Sequence, residues 1–173
     1  MTINELKISE YHNYYQPYLD KIEKGTELLD GYKTDQMLVN QFFVNVPKDK
    51  LLFRYAEDKW SIKEIFQHLI DAERIFLHRC FRIARYDSTE LPGFDQDDYI
   101  VPSGADGKSL NFLLDEFNFT RQHSIILLKS LKKEDLANMG NANGSTLSAR
   151  AAAFINLGHY IWHMNVIKER YLN

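Results

Sequence analysis

The clearest structural signal in this chain is the start of a long helix at Ser61. Ser61 and Glu64 form an S-x-x-E capping box, in which each side chain bonds the backbone amide of the other residue. Apolar residues at helical spacing follow at once and continue to about position 85: Ile62, Ile65, Phe66, Leu69, Ala72, Phe76, Cys80, Ile83 and Ala84. The pattern predicts an amphipathic helix with one buried face.

Three further segments repeat this helical spacing of apolar residues. The first covers residues 26–46, with Thr26 as its predicted N-cap. The second covers residues 110–131 and has Ser109 in the capping position. The last begins at Thr146 or Ser148 and continues to the C-terminus. No segment has the alternating pattern of a strand, so four long helices are predicted.

The connections between these helices differ in length. Residues 86–108 are rich in proline, glycine and aspartate and predict a long crossover loop between helices 2 and 3. Within it, the segment Leu91-Pro92-Gly93-Phe94 could place a hydrophobic anchor on one end of the bundle, whereas the acidic residues 95–98 read as solvated. Residues 132–145 predict a turn-rich linker. The fold class that follows is an all-α four-helix bundle with a long crossover loop.

Composition narrows the class of protein. The 173 residues suit one domain, residues 1–173, with its own hydrophobic core. The net charge is −3 without a long basic run, which argues against nucleic-acid binding. Cys80 is the only cysteine, so no internal disulfide can form and a reducing, cytoplasmic location is expected. No signal peptide or apolar run of about eighteen residues is present, so we expect no membrane contact.

Two histidines in the last helix carry the strongest chemical signal. His159 and His163 are four residues apart, so they lie one turn apart on the same apolar face and can reach one metal ion. Buried imidazoles need either hydrogen bonds or a metal, and spacing alone does not choose between the two. His68 lies at the edge of the buried face of helix 2 and is the candidate third ligand. Three histidines plus water form a known type of open metal site.

The remaining candidates are weaker. The sequence predicts a surface or outward-facing position for the other three histidines, His12, His78 and His123. Asp71 follows His68 by three positions and is a candidate for orienting a ligand or acting as a base. The competing interpretation, which we favour, is a solvated carboxylate paired with Arg74 or Arg79.

Several catalytic motifs are absent. The H-E-x-x-H motif of zinc peptidases requires a glutamate directly after its first histidine, and this chain has Tyr160 there. No phosphate-binding loop, dinucleotide fingerprint or nucleophile elbow occurs. Close to the N-terminus, Tyr11, Tyr14, Tyr15 and Tyr18 predict a lead-in segment whose rings pack on the body of the protein. A ligand-facing aromatic wall is the alternative.

Taken in order, these motifs resemble the DinB-like (YfiT-like) superfamily. The segments that carry the resemblance are KWSIKEI (59–65), HLIDAER (68–74), LPGF (91–94), Gly158-His159, His163 and IKERYL (167–172). They cover most of the chain from Phe53 to Leu172. Many relatives carry Glu directly after the first histidine of the final pair and His directly before the last one, where this chain has Tyr160 and Trp162.

The resemblance implies a four-helix bundle in which His68, His159 and His163 hold a divalent metal ion. Zinc and nickel are the expected ions, with iron or manganese as alternatives. The family includes thiol S-transferases that use small-molecule thiols, such as bacillithiol or mycothiol, and proteins described as metal-dependent hydrolases. Members often form homodimers.

Three hypotheses follow. In the first, the metal activates a thiol or water for S-transfer or hydrolysis. In the second, the protein binds a metal or small ligand without turnover. In the third, the three histidines are hydrogen-bonded core residues of an interaction domain.

Overall fold

Four long helices form the body of the protein in the computed structural model, which describes residues 1–173. They are α2 (Leu28–Val44), α3 (Ile62–Ala84), α5 (Leu110–Ser130) and α7 (Ala149–Arg170). Between them lie the short helices α1 (Gln16–Leu19), α4 (Asp97–Ser103) and α6 (Lys133–Leu136), and the strands β1 (Met139–Ala142) and β2 (Ser145–Ser148). Single 3₁₀ turns occur at Ile3–Glu5, Ile8–Glu10, Asn13–Tyr15, Lys48–Lys50 and Ala105–Gly107. The predicted bundle of four long helices is confirmed.

Serine side chains cap three of the long helices as the sequence predicts. Ser61 Oγ accepts a hydrogen bond from the Glu64 amide at 3.1 Å, and the Glu64 carboxylate accepts one from the Ser61 amide at 2.7 Å. Ser109 and Ser148 each accept a hydrogen bond from the backbone amide three residues ahead. These bonds satisfy amides that have no partner within the helix.

The start of the first long helix differs from the prediction. Thr26 is not its N-cap, because α2 begins at Leu28 after Glu27, which makes no side-chain capping bond. The N-terminal segment pairs with this stretch: the Ile3 amide donates to the Thr26 carbonyl at 3.0 Å, and an antiparallel bridge joins residues 2 and 27. This pairing holds Glu27 in an extended conformation and delays the helix.

The linker predicted at residues 132–145 also proves to be more ordered than expected. It contains α6 and most of an antiparallel hairpin of β1 and β2, whose register pairs Ala142 with Ser145. The two residues between them, Asn143 and Gly144, both have positive φ angles, 54° and 70°. These angles are typical of the type I′ turn that an Asn-Gly pair favours. The Asn-Gly pair is therefore a hairpin signal, and the predicted turn-rich linker lacks the two short strands on either side of it.

The hairpin holds the crossover connection in place. Leu91 is buried, and its amide donates to the Asn141 carbonyl at 3.0 Å while its own carbonyl accepts from the Asn143 amide at 2.9 Å. The predicted hydrophobic anchor thus lies against the hairpin. Further along the crossover, α4 and a 3₁₀ turn replace the expected irregular loop, and the acidic residues 95–98 are exposed.

A buried ion cluster lies where the two parts of the apolar core meet. The guanidinium of Arg121, which has no exposed surface, binds Glu73 at 2.9 Å and Asp35 at 2.8 Å. The same guanidinium lies over the ring of Tyr32, which belongs to one apolar cluster, and over that of Tyr160, which belongs to the other. Two carboxylates and one buried cation therefore link α2, α3 and α5 at the centre of the bundle.

No helix is both long and apolar enough to cross a membrane.

Candidate metal centre

Three histidines meet between α3 and α7. His68 lies on α3 and is 5% exposed, whereas His159 and His163 lie on successive turns of α7 and are 5% and 9% exposed. Packing of α3 against α7 brings all three ligand atoms within 4.8 Å of one another. The structure thus brings together the three residues that the sequence singled out, and their role as metal ligands stays a prediction.

Two of the three pairs of imidazole nitrogens have the separation expected of ligands to one metal ion. His159 Nε2 lies 3.2 Å from His68 Nε2 and 3.0 Å from His163 Nε2. A metal–nitrogen bond of about 2.0–2.1 Å places two ligand nitrogens roughly 3.3–3.4 Å apart in a tetrahedron and about 2.9 Å apart at a right angle. Both observed separations fall close to this range.

Hydrogen bonding alone accounts for these contacts less well. A neutral imidazole nitrogen carries either a hydrogen or a lone pair, so His159 Nε2 can make one good hydrogen bond but has two close nitrogen neighbours. The other nitrogen of the ring, Nδ1, is buried without any partner. A metal ion bound to all three Nε2 atoms would resolve both close contacts at once.

Burial keeps these imidazoles in the neutral form that binds metals. Loss of solvent lowers the pKa of His68 to about 4. Burial also lowers the pKa of His159 and His163 well below the usual range, and the neighbouring imidazoles add to this effect. Because metal binding requires a free nitrogen lone pair, neutral imidazoles are ready to bind without first losing a proton.

Aromatic rings surround the three histidines. The ring centroid of Trp60 lies 4.8 Å from that of His68, and the ring centroid of Trp162 lies 4.7 Å from that of His163. Tyr18 approaches from the N-terminal segment, with its ring 5.1 Å from that of His159. Aromatic surface therefore borders the centre on several sides, and the lower local dielectric strengthens electrostatic interactions there.

A glycine permits the approach of Tyr18. A Cβ atom at position 158 would overlap the backbone carbonyl of Tyr18, so α1 can lie against α7 only where the helix has no side chain. This contact brings the tyrosine-rich segment to the histidines. Tyr15 packs edge-on against Phe76. The rings of Tyr11, Tyr15 and Tyr18 pack on the core as predicted, whereas Tyr14 is exposed.

The same segment forms one wall of an open cleft of about 600 Å³. The cleft reaches His68 and His159 at one end. Its other walls come from α3, the crossover and the hairpin. The lining residues are His12, Tyr14, Tyr15, Tyr18, His68, Ala72, Phe76, Arg79, Phe94, Asp95, Gln96, Ala142, Asn143, Ser145 and His159. The aromatic wall that the sequence left as an alternative is therefore present beside the histidines.

The other sequence candidates lie outside the cluster. The Asp71 carboxylate binds Arg74 at 2.8 Å and accepts a hydrogen bond from Gln67 at 3.1 Å. This pairing matches the competing interpretation, and a role for Asp71 as a base or orienting residue stays a prediction. His78 and His123 are exposed. Exposed His12 is at the cleft, where its side chain accepts a hydrogen bond from the Tyr14 amide.

Sequence reasoning missed Arg79 as a residue of the cleft. It lies eleven positions after His68, and the α3 residues lining the cleft are spaced by four, four and three, which places them along one helix face. This register was the available signal. An arginine eight positions after Asp71 is equally compatible with a surface ion-pair partner, so the register alone does not assign it to a cleft.

Comparison with known proteins agrees with this architecture. The family model described as the DinB superfamily matches residues 32–167. The structure of YfiT from Bacillus subtilis superimposes with a TM-score of 0.71 at 14% identity, covering 94% of each chain; YfiT is described as a probable metal-dependent hydrolase with an unusual four-helix bundle topology. A DinB-like protein from the same organism gives a TM-score of 0.59 at 16% identity, covering 83% of this chain and 88% of the other. No curated protein matches the sequence. At these identities, the two structures support the fold alone.

Proposed function

This chain belongs to the DinB superfamily, and we propose that it is a divalent-metal-dependent enzyme that activates a small-molecule thiol for transfer to an electrophile. The observation that carries the proposal is the convergence of the His68, His159 and His163 Nε2 atoms beside an open cleft, which His68 and His159 line. Imidazole ligands suit zinc, nickel and iron alike; we propose zinc or nickel on the family resemblance, with iron or manganese as alternatives.

The protein's own residues would hold the ion and shape access to it. Three neutral imidazoles would supply one side of the coordination sphere, and the side towards the cleft would remain available for a small ligand. Trp60, Trp162 and Tyr18 would keep bulk water away from the other sides. When bound, the ion would act as a Lewis acid and lower the pKa of a thiol or water ligand.

The lack of a nearby base favours a thiol over water. Asp95 is the only carboxylate lining the cleft, and it is exposed on the crossover, where its Oδ1 already accepts the Asp97 amide. Tyr160 faces the buried Arg121 instead of the cleft. A thiol ionises near pH 8.5, whereas bulk water has a pKa of about 15.7. A metal without a carboxylate base therefore needs to lower the pKa of a thiol much less than that of water to give the ionised nucleophile at neutral pH.

Hydrolysis is the competing reaction, in keeping with the description of YfiT as a probable metal-dependent hydrolase. The test uses untagged protein loaded with zinc or nickel. It is incubated with cysteine and 1-chloro-2,4-dinitrobenzene in one assay, and with 4-nitrophenyl acetate in the other. We expect thioether formation above the uncatalysed rate, lost in His68→Ala and retained in His78→Ala, which changes an exposed histidine of the same helix.

Three other outcomes would contradict the thiol proposal. Ester hydrolysis that requires His68, without thioether formation, would identify a hydrolase. Tight metal binding without turnover in either assay would favour a binding protein, and absence of metal binding would favour hydrogen-bonded core histidines.

We further propose a cytoplasmic homodimer, which follows from the family resemblance and the single reduced cysteine. Light scattering after gel filtration tests the dimer.

A further inference from the structure

Two arginines of this protein are buried, and their surroundings differ in one important respect. Arg121 is fully buried and binds the carboxylates of Glu73 and Asp35. Arg79 is only 3% exposed, yet no carboxylate lies within ion-pair distance of its guanidinium. A buried charge is costly unless an opposite charge or hydrogen bonds compensate for it.

The partners that Arg79 does have leave much of its guanidinium free. One terminal nitrogen donates to the Pro92 carbonyl at 3.0 Å, and the group lies over the Phe76 ring at 5.7 Å. Its other nitrogens make no hydrogen bond, but they are not among the buried polar atoms that lack a partner. They therefore retain some contact with solvent, and the opening that Arg79 lines is the cleft of the histidine cluster.

The rest of the cleft places no second cation near this group. Its lining contains no lysine and no other arginine, and the one carboxylate, that of exposed Asp95, forms no ion pair with Arg79. A single guanidinium suits a singly charged, planar carboxylate, with which it forms two parallel hydrogen bonds. A phosphate ester, with nearly two negative charges, would be expected to recruit more than one cation.

We propose that Arg79 binds a carboxylate group of the substrate, so that the cleft selects organic carboxylates with an apolar or aromatic body. The Cα atoms of His68 and Arg79 are eleven residues apart on one helix, or roughly 16 Å along its axis. Phe76 lies between them on the same helix, and Tyr14 and Tyr15 also line the cleft. The carboxylate would thus be held away from the histidines while the apolar body packs on the aromatic wall. This inference rests on the proposed function only in assigning the cleft to the substrate.

The experiment uses metal-free protein, so that a carboxylate cannot bind at a metal ion. The probes are 3-phenylpropanoate and its neutral counterpart of the same shape, 3-phenylpropanamide, titrated while protein NMR shifts are recorded. Because charge-assisted hydrogen bonds are stronger than neutral ones, we expect the carboxylate to bind about tenfold more tightly or better. Inorganic phosphate, titrated in parallel, should bind more weakly than the carboxylate.

Two variants separate Arg79 from general charge effects. Arg79→Gln should remove the preference for the carboxylate and leave amide binding nearly unchanged. The control Arg85→Gln also removes one positive charge near the end of the same helix, but Arg85 is exposed and does not line the cleft, so the preference should persist. Circular dichroism establishes that both variants are folded.

Several results would overturn the proposal. Equal binding of the two probes to the wild-type protein would do so without any variant, as would a preference that persists in Arg79→Gln. Tighter binding of phosphate than of either organic probe would replace the carboxylate with a phosphate ligand. All of these binding measurements are made without metal. A failed thiol-transfer assay would therefore not change how they are interpreted.

Discussion

The Nε2 atoms of His68 and His159 lie 3.2 Å apart although 91 residues separate them in the chain. One residue belongs to α3 and the other to α7, so this distance depends on how the two helices pack. A metal ion bound here would connect the two helices directly. The predictions below follow from this arrangement and from the buried contacts around it.

Metal content should depend on all three histidines. We expect untagged wild-type protein to bind about one divalent ion per chain, measured by elemental analysis after reconstitution with zinc or nickel. His68→Ala and His163→Ala should each lose most of it, and exposed His78→Ala should retain it. Wild-type protein without metal, or full metal content in His163→Ala, would contradict the assignment.

Metal removal should lower the stability of the folded protein. A ligand that binds only the native state stabilises it by about 2.7 kcal/mol when present at a hundred times its Kd. Treatment with a chelator should therefore lower the melting temperature of the wild-type protein, and addition of zinc should restore it. The same treatment should leave His163→Ala almost unchanged. An equal response of both proteins to the chelator would show that the ion binds elsewhere.

Gly158→Ala should destabilise the protein by displacing the N-terminal segment. The added methyl group would overlap the Tyr18 backbone carbonyl, and such overpacking costs about 1–3 kcal/mol. Gly31→Ala is the matched control, because its methyl group would lie 2.8 Å from Leu157 Cδ2, the end of a flexible side chain. Urea denaturation should show a clearly larger loss for the first variant. Similar losses for both would mean that the backbone contact has no special importance.

Arg121→Gln should be among the most destabilising single changes in the chain. It would leave Glu73 and Asp35 as buried carboxylates without a cation, a situation that costs about 3–5 kcal/mol. Arg74→Gln breaks the ion pairs with Asp71 and Glu116, but this arginine is half exposed, so the effect should be only about 1 kcal/mol. Chemical denaturation of both variants gives the comparison, and comparable small losses would argue against a buried ion cluster.

Cys80 should be unreactive in the native protein. It is fully buried, and burial raises the pKa of its thiol to about 12. At pH 8 a thiol reagent should therefore label it only after unfolding in guanidinium chloride. The unfolded chain loses this proton at lower pH than the folded one, so above about pH 9 the thiol should make stability fall as pH rises, and Cys80→Ala should lack that contribution. Rapid labelling of native protein would contradict the burial.

The sequence predicts the local parts of this structure well, because local signals act within a few residues. The Ser61–Glu64 capping box defines the start of α3. The spacing of His159 and His163 alone places both imidazoles on one face of α7. Even the missed hairpin had a local signal in Asn143-Gly144, whose turn conformation needs no tertiary contact to be favoured.

Other features depend on contacts between distant segments and were decided only by tertiary packing. The sequence offered His68 as a third ligand, but the distance between its ring and the final histidine pair follows from the packing of α3 on α7. The burial of Arg79 and Arg121 was not predicted, because an arginine in a helix normally lies in solvent. Only the folded protein shows that carboxylates neutralise Arg121 and that Arg79 lines a cleft without an ion-pair partner. The reason is physical: helix formation depends on neighbouring residues, whereas the solvation and charge environment of a side chain depend on everything packed around it.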